Sequence, residues 1–205
     1  MHIDPAGMPW NDVYKYLIGA VLPRPIAFVS TVDGEGRTNL APFSFFTVVA
    51  ANPPTICFSA MRRGSDGAKK DTLRNIEDTK EFVVNIVSEG IVPQMNQTAG
   101  EYPHGVSEFD QSGLTPVASH KVKAPRVGES LVNFECRLTQ IVEIGGDEAG
   151  AGALILGEVI ALHVDESVQR EGKVGIDTAA LQPVGRLAGS DYVRVTDTFE
   201  LERKK

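Results

Sequence analysis

Long apolar runs are missing from this sequence of 205 residues. None approaches the ~18 residues that a membrane-spanning helix needs. Bases are in the minority, 20 against 27 acids, for a net charge of −7. Nucleic acid and anionic membrane surfaces both require a basic face, so neither is an expected partner. Cysteine is scarce. Cys57 and Cys136 lie far apart inside apolar runs, form no CxxC and fit no zinc-type Cys/His spacing, so free thiols are expected. His2, His104, His120 and His163 share no ligand spacing, and His163, within a strand pattern, reads as structural. The opening "MHIDPAGMPW" lacks a charged stretch followed by an apolar one. No signal peptide is expected from it, and the expected location is cytoplasmic.

Catalytic signatures are missing as well. No GxGxxG opens a helix, so there is no dinucleotide fingerprint. "GSDGAKKDT" has the wrong Gly–Lys spacing for a phosphate-binding P-loop. Neither GxSxG nor HExxH occurs. A nucleophilic triad and a zinc hydrolase site are thereby disfavoured.

What is present is an ordinary globular balance, 42% hydrophobic and 23% charged, in a chain long enough to bury a core. A single domain over residues 1–205 is expected. "WNDVYKYLIGAVL" (10–22) predicts a short helix capped by Asn11 or Asp12 and stopped by Pro23 and Pro25. "IAFVSTV" (26–32) predicts a buried strand, and "DGEG" a turn. Residues 37–49 predict the returning hairpin strand, with its ladder interrupted at Pro42. "NPP" turns again before a strand at 55–60. A helix over 71–80 with Asp71 as cap and a strand over 81–88 follow. A short helix is expected near 89–100, and 101–125 is a long excursion without periodicity. In 131–142, Val132, Phe134, Cys136 and Leu138 alternate with Asn133, Glu135, Arg137 and Thr139, which predicts a strand with one wet face. A long strand over 153–164 and short fragments after 181 complete seven or eight strands. The fold class is mainly β, an antiparallel barrel with a few short helices.

Three stretches suggest a ligand. Residues 62–72 hold Arg62, Arg63, Lys69 and Lys70 ahead of a helix start, with Ser59, Thr72 and Asn75 as extra donors. Unpaired N–H groups and the positive end of the helix dipole suit a phosphate there. The plain alternative is a solvated loop before a capped helix. In 39–47, Pro42 within an apolar strand would free the N–H groups of Ser44 and Phe45 to meet the edge of a flat ring, unless this is simply a bulged edge strand. In "PVGRLAGSDYVR", Arg186 and Tyr192 could lean on a ligand or a neighbouring subunit, or form a surface glycine turn.

Together, "PRPIAFVSTVDGEGRTNLAPFSFFTVVAANPPTICFSA", "KKDTLRNI", "EFVVNIV" and "PVGRLAGSDY" resemble the flavin reductase-like, FMN-binding split-barrel family. That family includes flavoredoxin-like proteins and the reductase components of two-component monooxygenases. The resemblance spans roughly residues 12–195. It implies a split antiparallel β-barrel binding FMN, usually as a homodimer. Asn39, Ala41, Pro42, Ser44 and Phe45 would line the flavin ring. Ser59, Met61, Lys70, Asp71 and Thr72, with Asn75, would surround the ribityl chain and phosphate. Arg186, Gly189 and Tyr192 would approach the ring from the same subunit or its partner. Where the family loop reads "RLGG", this chain has Ala188.

The activity implied is hydride transfer from NADH or NADPH to FMN, with reduced flavin or electrons passed to an acceptor such as a monooxygenase. Flavin carries that chemistry, so no catalytic side chain is required. Lacking a dinucleotide motif, NAD(P)H is expected in a shallow cleft against residues 101–120. One rival is an FMN electron carrier without NAD(P)H activity. Another is a barrel without FMN.

Overall fold

The computed structural model describes every residue except His104, Arg203 and Lys205. The reading of His104 therefore lies outside the described residues. Helix α1 (Trp10–Ala20) leads into β1 (Ala27–Val32), whose six residues are all buried. Asp33 then turns the chain. Its carboxylate accepts the N–H groups of Glu35 and Arg37, each at 2.9 Å, and pairs with the Arg37 guanidinium. Strand β2 (Thr38–Phe43) returns antiparallel to β1. After the Ser44–Phe45 corner come β3 (Phe46–Ala51) and β4 (Pro54–Met61). Helix α2 (Asp71–Thr79), β5 (Glu81–Ile86), α3 (Val92–Gln97) and α4 (Glu108–Ser112) follow.

The excursion adds a two-residue pair, β6 (Pro116–Val117) and β7 (Arg126–Val127). Then come the long hairpin strands β8 (Val132–Ile144) and β9 (Gly152–Val164), α5 (Thr178–Leu181), and the pair β10 (Val184–Arg186) and β11 (Tyr192–Arg194). Seven strands make one antiparallel sheet in the order β2-β1-β5-β8-β9-β4-β3. Its outermost strands, β2 and β3, are consecutive in the chain. The sheet therefore closes through the covalent corner at Ser44–Phe45 instead of a ladder, which makes a split antiparallel β-barrel. The Ser59 N–H reaches across to the Phe45 carbonyl at 2.8 Å.

The interior is apolar. Phe43, Phe58 and Phe82 form a chain of rings with centroids 5.1 and 5.6 Å apart, and α2 inserts Leu73 and Ile76 among them. A second cluster, Phe28, Leu40, Ile91, Met95 and Phe109, lies under α3 and α4. Strand β1 supplies both clusters, Ala27 and Val29 to one and Phe28 to the other. Two covered faces explain its unbroken burial, which takes in Ser30 and Thr31 as well as the apolar residues.

Four expectations need correction. The face of β8 read as wet is partly buried, with Asn133 3% and Glu135 0% exposed. The excursion folds over it. Glu135 accepts the N–H groups of His120 (2.7 Å) and Lys121 and the ring of His163, while Asn133 donates to Asn85 at 2.9 Å. Pro42 leaves the ladder intact, paired with Phe28. The Leu40 N–H points away from β1 to Glu108, and Pro42, two residues on, shares that outward direction, so its missing N–H removes no ladder bond. Pro9, not Asn11 or Asp12, stands at the cap of α1, and Asp12 pairs with Lys15. Lys70 holds the cap position of α2, with Asp71 as the first helical residue. Both cysteines are free, Cys136 buried and Cys57 half-buried. No helix among the described residues is long and apolar enough to cross a membrane.

Candidate functional site

Two cavities flank the corner that closes the barrel. The first, about 150 Å³, lies at the start of α2. Asn39, Ala41 and Pro42 of β2 form one wall, and Arg63, Lys70, Asp71 and Thr72 form another. Gly100, together with Glu101 and Tyr102 at the beginning of the excursion, borders it with Glu108. The Asn39 amide donates to the Thr72 hydroxyl at 2.9 Å, and both residues are buried. That contact leaves the Thr72 hydroxyl proton free to donate. No side chain caps α2, and the Thr72 N–H has no acceptor among the described residues. The Asp71 carboxylate turns to Arg63 (3.4 Å) and Arg74 (3.1 Å).

Lys70 is the decisive group. Its ammonium lies 5.5 Å from the centre of the Phe43 ring and has no hydrogen-bonded or ion-paired acceptor among the described residues. Burial pulls its pKa below lysine's ordinary value; the Glu101 charge opposes this and Arg63 adds to it. A desolvated cation without an anion is costly, and an incoming anion relieves it. The other bases of the loop are not all available. Arg62 is held by Asp147 and the Gly67 carbonyl, and Lys69 by Glu77 and Glu143. Only Arg63 and Lys70 of the four line the cavity. Burial raises the Glu108 carboxyl above its ordinary pKa, against the Leu40 N–H that it accepts; the nearby Asp71 raises it further.

The second cavity, about 370 Å³, is apolar. Phe45, Ser59 and Met61 line it from the sheet; Trp10, Tyr14 and Leu17 line it from α1. The expected site residues are thus divided. Asn39, Ala41, Pro42, Lys70, Asp71 and Thr72 meet at the polar cavity, while Phe45, Ser59 and Met61 meet at the apolar one. Pro42 and Phe45 are three residues apart, so the corner separates the two cavities. The backbone N–H groups of Ser44 and Phe45 have no acceptor among the described residues. Asn75 is buried and donates to Thr31 at 3.0 Å, bracing α2 against β1.

The third expected stretch lines neither cavity. Arg186 stacks over Tyr192, 4.6 Å from its ring centre, and donates to the carbonyls of Asp191 and Gly189. Gly189 has φ +60°, which favours glycine in this turn. The Tyr192 hydroxyl donates to Asn96 at 3.0 Å.

Arg24 ties this turn to the corner, and sequence reasoning missed it. It is 4% exposed. Its guanidinium donates to the Ile18 and Val21 carbonyls at the end of α1, to Leu187 at 2.9 Å and to Ser44 at 3.3 Å. A cation suits those terminal carbonyls. The available signal was an arginine between two prolines in apolar surroundings. Glu108, Trp10 and Tyr14 were also missed, because nothing local to them reports which cavity they border.

The family described as "Flavin reductase like domain" matches residues 19–181. Nitrilotriacetate monooxygenase component B from Bacillus cereus is 40% identical, with 98% of each chain covered and a TM-score of 0.91. The 2-nitrobenzoate 2-nitroreductase of Pseudomonas fluorescens is 31% identical over 100% of this chain and 96% of that one, with a TM-score of 0.87. Flavoredoxin of Desulfovibrio vulgaris (Miyazaki F) is 25% identical over 88% and 91%, with a TM-score of 0.75.

Proposed function

This chain belongs to the flavin reductase-like domain family, and on that footing we propose that it is an FMN-dependent oxidoreductase that takes a hydride from NADH or NADPH. The observation that carries the FMN reading is the half-buried, unpaired Lys70 ammonium beside the free N–H and hydroxyl of Thr72. Phosphate near pH 7 carries about −1.5 to −2 charge and three acceptor oxygens, which matches that donor set. Lys70 and Thr72 hold the phosphate in this reading, and Arg63 adds charge at the rim. The free N–H groups of Ser44 and Phe45 meet the ring edge, with Ala41 and Pro42 along the way. Arg24 holds the corner rigid through Ser44. Bound flavin supplies hydride acceptance and donation, so the side chains need only bind and orient. The nicotinamide nucleotide enters beside Glu101 and Tyr102, where the excursion borders the polar cavity.

Likeness to a monooxygenase component supports release of reduced flavin, or its electrons, to an oxygenase. Likeness to flavoredoxin supports a second reading, an electron carrier that keeps FMN and is reduced by a protein donor. The visible spectrum before and after anaerobic NADH or NADPH tests both. Flavin bands that bleach with nucleotide support the reductase. Bands that persist, yet bleach with a donor protein, support the carrier. A protein that takes up no FMN refutes both.

A further inference from the structure

Three acids border the polar cavity that suits an anion, and two of them answer to cations. Asp71 bonds Arg63 and Arg74, and the Glu101 charge acts on Lys70. Glu108 on α4 is the exception. It is 9% exposed and forms no ion pair among the described residues. Its Oε2 accepts the Leu40 N–H at 2.9 Å, and its other oxygen accepts from no other residue among those described. Strand β2 and helix α3, which pack against α4, contain no ionisable residue. Asp110 of α4 itself is exposed. The remaining charged or titratable groups of the cavity are Arg63, Lys70 and Asp71 from the start of α2 and Glu101 and Tyr102 from the excursion. Burial and the like charge of Asp71 both favour the neutral form of Glu108.

The structural duty of Glu108 does not call for a charge. Strand β2 is an outer strand of the sheet, and any carbonyl oxygen in this place would accept its outward Leu40 N–H. Glutamine would serve. A titratable group is therefore surplus to the packing, and it borders a cavity of only about 150 Å³. An oxyanion held there by Lys70 and Thr72 meets the carboxyl at close range. An ionised carboxylate would repel it in this desolvated space. The neutral acid reverses the sign, because its O–H becomes a donor to an anionic oxygen. We propose that Glu108 binds the oxyanion as the neutral acid and donates its O–H to it, so that each oxyanion bound draws one proton from solvent. Lys70 supplies the positive charge, and Glu108 makes binding proton-linked. Affinity then falls as pH rises above the carboxyl's pKa in the free protein, by up to about tenfold per pH unit. This limb lies on the acid side of the one set by Lys70. Its meaning for flavin rests on the FMN reading above; the coupling of oxyanion to proton does not.

Sulfate is the probe, since it matches phosphate in shape and charge but has no proton to exchange near neutral pH. Flavin-free protein is titrated with sulfate by calorimetry, between about pH 5 and 8, in buffers of different ionisation enthalpy. The dependence of the measured heat on that enthalpy counts the protons taken up. The expected result is uptake approaching one proton per sulfate where Glu108 is ionised in the free protein. Glu108→Gln keeps the Leu40 acceptor and is expected to retain the circular dichroism spectrum. It binds sulfate at least about tenfold more tightly than the parent at the upper end of the range, and its affinity is flat on the acid side. Lys70 takes up protons only towards alkaline pH, and the glutamine variant leaves that share in place. Sulfate binding without proton uptake by the parent protein overturns the proposal, as does absence of sulfate binding. Equal uptake by Glu108→Gln overturns it too. Competition with FMN is followed separately by flavin absorbance. If FMN fails to displace sulfate while the proton uptake stands, the FMN reading fails and this one is supported.

Discussion

At the residue scale, the behaviour of the polar cavity turns on Lys70. A phosphate beside its ammonium raises the lysine pKa, so FMN affinity is full while Lys70 is charged. In the free protein that pKa is lowered by burial. Affinity is therefore expected to decline as pH rises through it, starting below the ordinary lysine range. Lys70→Ala removes this alkaline decline and costs about 1.5–3 kcal/mol of FMN binding, measured by flavin titration across pH. Thr72→Ala weakens binding too and leaves Asn39 without its acceptor. Gly157 answers to a different constraint. A Cβ there would stand 2.3 Å from Phe82 Cζ, whose ring is fully buried. Gly157→Ala is expected to destabilise the fold by about 1–3 kcal/mol, seen as a lower urea midpoint. The string from Lys70 to Thr72 was legible in the sequence because a helix start advertises its free donors locally. Which bases remain available was not legible, since Lys69 is neutralised by Glu143, far along the chain.

At the element scale, the strands were largely readable because alternation and β-branched runs mark them. The lapses lie where one element covers another. Glu135 looked solvated, since alternation alone does not reveal that residues 116–127 fold over β8. Its carboxylate pKa is lowered: burial raises it, but the bonds from His120, His163 and Lys121 outweigh that. A depressed carboxylate pKa contributes stability above the unfolded value, and that contribution is lost as pH falls through the folded value. The excursion should therefore loosen from the sheet in acid. Amide protection at His120 and Lys121, corrected for intrinsic exchange, is expected to fall as pH drops below the ordinary glutamate range. Glu135→Gln should show lower protection already at neutral pH and little further change. Helix α1 was predicted as a helix, but its role as a cavity wall depends on Gly150, 140 residues later in the numbering.

At the scale of the whole molecule, the mainly β barrel was foreseeable from hairpin spacing, whereas its split form was expected only through the family resemblance, because strand order is a non-local property. Apolar residues remain exposed on α1 (Tyr16, Leu17), just after it (Val21) and on the edge strand β3 (Val48, Val49). The homodimer expected from the family resemblance would cover such surface, and an uncovered edge strand invites pairing. Sedimentation equilibrium is expected to give a dimer, and Val48→Lys to shift it towards monomer without loss of the circular dichroism spectrum. A monomeric parent protein would refute the proposal.

The Ser44–Phe45 corner also decides where the chain tolerates being lengthened or cut. Extra residues in most surface loops cost little, since closure entropy grows slowly with length. Here the same two residues join opposite edges of the sheet, so an insertion or a protease nick would let those edges part and open the seam on which both cavities border. The turn at 34–36 joins neighbouring strands that stay laddered up to Val32 and Thr38, with open space around Gly34 and Gly36, and it is the safer place for a tag or a break.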